Sequence, residues 1–231
     1  MSDDPAGYTR RFVPGQAGRI ELLLDTPSGQ ARGIALVTHP QPLLGGSASH
    51  KIPALLAKAC REDQWLAVRP NFRGVGASEG VHDAGRGEAE DMIALAAQLR
   101  GSHPALPLAL LGFSFGAFVL ARVAAELARR GEPAQHVVLA GMPAGVVVDG
   151  RSYDPPALPP GSMLVHGERD MRVPLEALLR WADAHAQAVL VIPGADHFFR
   201  GKLPLLRDAM RAELGRGPRL GAAPAAAGDV G

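Results

Sequence analysis

The stretch Pro107-Leu108-Ala109-Leu110-Leu111-Gly112-Phe113-Ser114-Phe115-Gly116-Ala117 decides how this chain is read. Pro107 to Leu111 is a continuous apolar run, as expected of a strand buried on both faces. Phe115 to Arg130 reads as a helix. Ser114 therefore stands on a strand-to-helix turn with glycine two residues to either side, the G-x-S-x-G nucleophile elbow. Only small residues fit beside so tight a turn. Gly112 and Gly116 supply them, and Ala117 lets the helix lie close to the strand. The turn holds the serine hydroxyl out at the carboxyl edge of the sheet.

The flanking segments repeat the strand-helix alternation. Arg19 to Thr26 and Gly33 to Thr38 read as strands; the second ends in His39-Pro40-Gln41-Pro42 and Gly45-Gly46. A helix is predicted from near Pro53, a favoured first-turn residue, to about Arg61. Trp65 to Arg69 is a strand followed by the loop Asn71 to Gly76. Glu88 to Arg100 is a helix, with Glu88, Glu90 and Asp91 in its first turn and Arg100 in its last, matching the helix dipole. Beyond the elbow helix, His136 to Ala140, Ser162 to His166 and Ala188 to Ile192 read as strands. A helix opening at Pro174 and a final helix bearing Leu203, Leu206, Met210 and Leu214 accompany them. Such alternation predicts a mostly parallel sheet with helices on both faces. Residues 1–18 are expected to be irregular, 19–216 to form one α/β domain, and the Ala/Gly/Pro-rich 217–231 to be a disordered tail.

Composition bounds the function. A net charge of +1 offers nothing for nucleic acid or an anionic membrane surface to hold. The single cysteine, Cys60, allows no intrachain disulfide. No apolar run approaches the ~20 residues of a membrane helix. The polar, acidic start from Met1 to Arg11 has no signal-peptide core. A cytoplasmic enzyme or binding domain is expected.

A serine hydroxyl is a poor nucleophile at neutral pH. It needs a base within hydrogen-bond reach, and the base needs an acid to orient it. In chains built on this elbow the order is serine, acid, histidine, which here gives Ser114, Asp170 and His197. His197 lies just past the last strand, where a base can lean over the elbow. Asp170 lies in the loop after the strand ending at His166; Glu168 in the same loop is the alternative, and Asp196 is a poor one because it adjoins His197. His39 and His166 come too early in the order and read as supporting residues. His50, His82, His103, His136 and His185 have no convincing context. An oxyanion hole needs two backbone N–H groups. Phe115, the residue after the nucleophile, gives one. Gln41 gives the other, since its two proline neighbours have no N–H to offer. Cys60 reads as a core residue. No histidine, cysteine or acidic pair has metal spacing, and no G-x-G-x-x-G is present for a dinucleotide. Neither metal nor cofactor is expected.

With these residues in view, the chain resembles the α/β-hydrolase superfamily, and within it the small lidless bacterial serine hydrolases that carry a His-Pro-x-Pro-x-x-Gly-Gly oxyanion loop. The matching segments are His39 to Gly46, Asn71 to Gly76, Gly112 to Ala117, His166 to Asp170 and Gly194 to Phe199. The oxyanion loop departs from the superfamily in lacking its common His-Gly start. The resemblance implies a sheet of about seven to eight strands, an antiparallel first strand and serine-esterase chemistry on a small-molecule ester or thioester. An acyltransferase, a peptidase and a non-catalytic binding protein on the same scaffold are the alternatives. Because Gly141 to Gly161 carries Pro143, Pro155, Pro156, Pro159 and Pro160, no helical lid is expected there. A short β-like or irregular excursion at Val146 to Val148 and a shallow, solvent-open groove are predicted instead.

Overall fold

The structure, a computed structural model, describes residues 7–216. The tail 217–231 and the first six residues lie outside the described residues. Strands β1 (Thr9–Gly15), β2 (Gly18–Asp25), β3 (Gly33–Thr38), β4 (Trp65–Pro70), β5 (Leu108–Phe113), β6 (His136–Ala140), β9 (Met163–Gly167) and β10 (Val189–Ile192) make one sheet in the order β1-β2-β4-β3-β5-β6-β9-β10. β2 runs antiparallel to both its neighbours, and every pairing from β4 to β10 is parallel. Helices α1 (Lys51–Glu62), α2 (Arg86–Ser102), α3 (Phe115–Arg129) and α4 (Leu175–Ala184) supply the crossovers, and α5 (Leu203–Leu214) follows the last strand. No described helix is long and apolar enough to cross a membrane.

The period-two geometry of the strands divides the core into two layers. Leu108 and Leu110 of β5 face one way and pack with Met92 and Leu95 of α2 and Val119 and Val123 of α3. Ala109, Leu111 and Phe113 face the other way and pack with Ile52 and Leu56 of α1 and Leu206 and Met210 of α5. The sequence shows an unbroken apolar run because both faces of β5 are covered.

Two stretches depart from the sequence expectations. Residues 1–18 were expected to be irregular, yet Thr9–Gly15 is a strand paired along its length with β2. It is an edge strand, held by backbone bonds rather than by a buried face, and its Arg10, Arg11 and exposed Phe12 therefore read as polar loop. Between β6 and β9 there is no helix; the segment carries β7 (Gly145–Val146) and β8 (Ser152–Tyr153), a two-stranded antiparallel hairpin.

The chain continues from β3 to β4 on one side of β3 and later places β5 on the other. The carboxyl ends of β3 and β5, aligned at Thr38 and Gly112, therefore flank a topological switch point, where such sheets leave a crevice for ligands.

Candidate active site

Ser114 occupies that crevice. Its φ of 55° and ψ of −122° are a strained conformation for a side chain with a Cβ, of a kind that costs about 1–3 kcal/mol. The surroundings enforce it. Ser114 N–H donates to Ala140 O at 2.8 Å, and the Ser114 carbonyl accepts from Ala117 N–H at 2.9 Å. The flanking glycines are required by close approach. A Cβ on Gly112 would lie 2.5 Å from Ala117 Cα, and one on Gly116 would lie 2.6 Å from the His39 carbonyl oxygen.

The structure brings the three sequence-predicted side chains together. His197 Nε2 lies 3.0 Å from Ser114 Oγ, and His197 Nδ1 lies 2.7 Å from Asp170 Oδ2. The carboxylate accepts, so Nδ1 carries the proton and Nε2 is left to accept from the serine hydroxyl. Asp170 is held by its other oxygen, which accepts from the N–H groups of Arg172 (2.9 Å) and Val173 (2.8 Å). Burial works against its charge, but His197, the Val173 N–H and His166 outweigh it and hold the carboxyl below its ordinary range. The other two acids are used elsewhere. Glu168 accepts from Gly194 N–H at 2.7 Å, and Asp196 accepts from the N–H groups of Phe198 and Arg200; both brace the loop that presents His197.

His39 and His166 are both buried next to these loops. His39 is fully buried, with Nδ1 2.8 Å from the Pro40 carbonyl and Nε2 3.0 Å from Phe72 N. The first partner only accepts and the second only donates, so the ring is neutral with its proton on Nδ1. Burial pushes its pKa down to about 3. His39 thus ties the loop after β3 to the loop after β4. His166 Nε2 donates to Val173 O at 3.0 Å and stands 3.4 Å from Asp170 Oδ2. Cys60 is buried and its thiol pKa is pushed up by burial, so it is a core residue.

Ser114, Phe115, Gln41 and His197 open onto one cavity of about 280 Å³. Leu44, Val147, Val148 and Phe198 give it apolar walls, and Asp149, Arg151 and Arg172 stand among the lining residues. No described helix covers this cavity, and the β7–β8 hairpin forms part of its wall. Phe115 is the first residue of α3, so its N–H has no acceptor within the helix. Tyr153 and His50 are lining residues to which the sequence assigned no role. Tyr153, on β8, receives a hydrogen bond from Gln41 Nε2 at 3.1 Å. His50 caps α1 through Nδ1, which accepts from Ile52 N–H at 3.3 Å. Its position just before a helix start was the available signal; Tyr153 had none. Among the described residues, no group of three or more histidine, cysteine or acidic side chains could hold a metal ion.

A model of the thioesterase domain matches residues 69–220. The chain belongs to the thioesterase domain family. An uncharacterized protein of Rickettsia prowazekii is 32% identical over 202 residues, 83% of this chain and 82% of that protein. A serine hydrolase without a lid from Xanthomonas campestris is 31% identical, with a TM-score of 0.78 over 96% of this chain and all (100%) of its own. A serine hydrolase homologue from Coxiella burnetii is also 31% identical, with a TM-score of 0.78 over 90% of this chain and 97% of its own. The family member described here has the α/β-hydrolase fold and is a hydrolase.

Proposed function

We propose that this chain is a serine hydrolase that cleaves a carboxylic ester or thioester through Ser114, His197 and Asp170. The observation that carries the reading is the buried chain of hydrogen bonds from Asp170 Oδ2 through the imidazole to Ser114 Oγ, with Ser114 and His197 lining one cavity. Family membership supports the thioester as well as the oxygen ester.

In this reading Ser114 Oγ attacks the carbonyl carbon as its proton passes to His197 Nε2. Asp170 keeps the ring oriented and stabilises the imidazolium. The oxyanion that forms is held by the N–H groups of Phe115 and Gln41, the second aimed by the rigid Pro40-Gln41-Pro42 turn. The leaving group departs with the proton from Nε2. Water, deprotonated by the same nitrogen, then releases the acid from the acyl-enzyme. The His-Pro-x-Pro-x-x-Gly-Gly segment owes its form to this role. His39 anchors the Pro40 carbonyl, and a Cβ at Gly46 would fall 2.2 Å from the same Pro40 oxygen.

The test is Ser114→Ala, read by turnover of p-nitrophenyl acetate and by labelling with a fluorophosphonate probe. Both are expected to disappear while the melting temperature holds, because alanine fits wherever serine does. Labelling that survives in the variant refutes the assignment.

A further inference from the structure

The hydrogen bond between Gln41 and Tyr153 has a fixed direction, and that direction leaves a proton over. Gln41 Oε1 accepts from Leu43 N–H at 3.3 Å. A backbone N–H can only donate, so the oxygen of the amide faces Leu43 and the nitrogen faces Tyr153. Gln41 Nε2 therefore donates to the phenolic oxygen at 3.1 Å. The Tyr153 proton must point elsewhere, and no other hydrogen bond of its hydroxyl occurs among the described residues. The nearby Asp149 carboxylate is engaged by Arg151, through both its guanidinium and its N–H. Burial raises the phenol's pKa, so the proton stays on at neutral pH.

The ring cannot swing away to find a partner. It stacks edge-on against Phe118 at 5.0 Å and Phe115 at 6.5 Å between centroids. Tyr153 also lines the cavity that holds Ser114. An O–H donor held on the wall of the cavity that contains Ser114 is a recognition element, because a ligand lacking its acceptor leaves the donor unpaired.

We propose that the Tyr153 hydroxyl donates to the substrate, and that this hydrolase favours esters carrying an ether, hydroxyl or keto oxygen close to the scissile carbonyl. The inference rests on Ser114 being the nucleophile. The oxygen can belong to the acyl group or to the alcohol, and isosteric pairs separate the two. p-Nitrophenyl methoxyacetate against p-nitrophenyl butanoate places it on the acyl side. 2-Methoxyethyl acetate against butyl acetate, followed by acid release, places it on the alcohol side. The ratio of kcat/KM within each pair is compared between the wild type and Tyr153→Phe, which cancels the intrinsic reactivity of the esters.

The expected result is a ratio that falls about two- to tenfold in the variant, the range for one neutral hydrogen bond, in one pair and not the other. Ratios unchanged in both pairs overturn the proposal. If kcat drops equally on all four esters, Tyr153 acts by holding Gln41 alone, and the proposal falls as well. Should Tyr153→Phe misfold, the same ratios are read in Tyr153→Leu. Ser114→Ala is run alongside. Turnover that survives it brings down the nucleophile assignment, whereas turnover lost with unchanged ratios brings down this proposal alone.

Discussion

Replacing Asp170 with asparagine tests the orientation of the base by changing one atom. The carboxylate uses Oδ1 for two backbone N–H groups, those of Arg172 and Val173, and Oδ2 for His197. An asparagine has one acceptor and must choose. If its oxygen keeps the two backbone donors, its NH₂ faces His197 Nδ1 and donates to it. The imidazole proton then moves to Nε2, where it points at Ser114 and cannot take the serine's proton. If the oxygen turns to His197 instead, the buried Val173 N–H loses its acceptor at about 1–3 kcal/mol, and the part-buried Arg172 N–H loses its own at less, since water can reach it. The first orientation is therefore favoured by at least about 1–3 kcal/mol, and its tautomer is the inactive one. His166 adds a small opposing term, since its Nε2–H stands 3.4 Å from the position the NH₂ would fill. Turnover of p-nitrophenyl acetate is expected to fall by up to ~10⁴, with substrate binding and the fold retained. The pH dependence has a definite sign. The Asp170 carboxyl sits below its ordinary 3.8 in the folded chain, so the stability from its ionisation is complete above that ordinary value. It is lost as pH falls through the lowered one. The gap in melting temperature between wild type and variant should be constant near neutrality and close in acid. Turnover within tenfold of wild type, or a larger loss in Glu168→Gln, refutes the reasoning.

Gly116→Ala puts a Cβ 2.6 Å from the His39 carbonyl oxygen and 2.7 Å from Thr38 Oγ1. The loop after β3 must shift, which is expected to cost about 1–3 kcal/mol in denaturant unfolding and roughly 10² in kcat; unchanged kcat places the oxyanion donors elsewhere. Gln41→Ala keeps the backbone donor and should retain most of the activity. Gln41→Pro removes that donor and should lose about 10²–10³, and equal activity in the two variants refutes Gln41 as a donor. On p-nitrophenyl esters from acetate to palmitate, kcat/KM should rise by no more than about fourfold per methylene, the equivalent of ~0.8 kcal/mol. It should level off once the chain outgrows the cavity, with no jump in an emulsion. A climb sustained to palmitate, or a jump above the aggregation point, counts against a small, lidless pocket.

The legible parts of this chain are those whose physics is local. β5 and α3 follow from an apolar run, a turn that admits only small neighbours and a helical stripe, all within some twenty residues of sequence. That Ser114, Asp170 and His197 come together was legible because each follows a strand, where the order of the chain and the needs of a serine hydroxyl limit the choice. β1 was illegible because its stabilisation lies in a partner strand; Arg10, Arg11 and Pro14 look like loop until β2 supplies seven paired residues. Tyr153 was out of reach for the same reason at longer range. The bond that defines it spans 112 residues, and the two-residue strand bearing it has no period to detect. Pro174 shows the limit at finer scale. It was placed in the first turn of α4 and is its cap, one residue earlier than the helix proper.

The β7–β8 hairpin occupies a single connection, between two strands that are neighbours in the sheet. It contributes Val147, Val148, Arg151 and Tyr153 to the cavity wall, while Ser114, Asp170 and His197 come from three other connections. A gene that exchanges the segment from Gly141 to Gly161 rewrites this wall without replacing Ser114, Asp170 or His197, but it also replaces Tyr153 and Val148, which bond to Gln41 and to the Arg172 carbonyl. Selectivity in this scaffold is thus carried by a replaceable jaw, whose exchange must keep the two bonds that tie it to its neighbours.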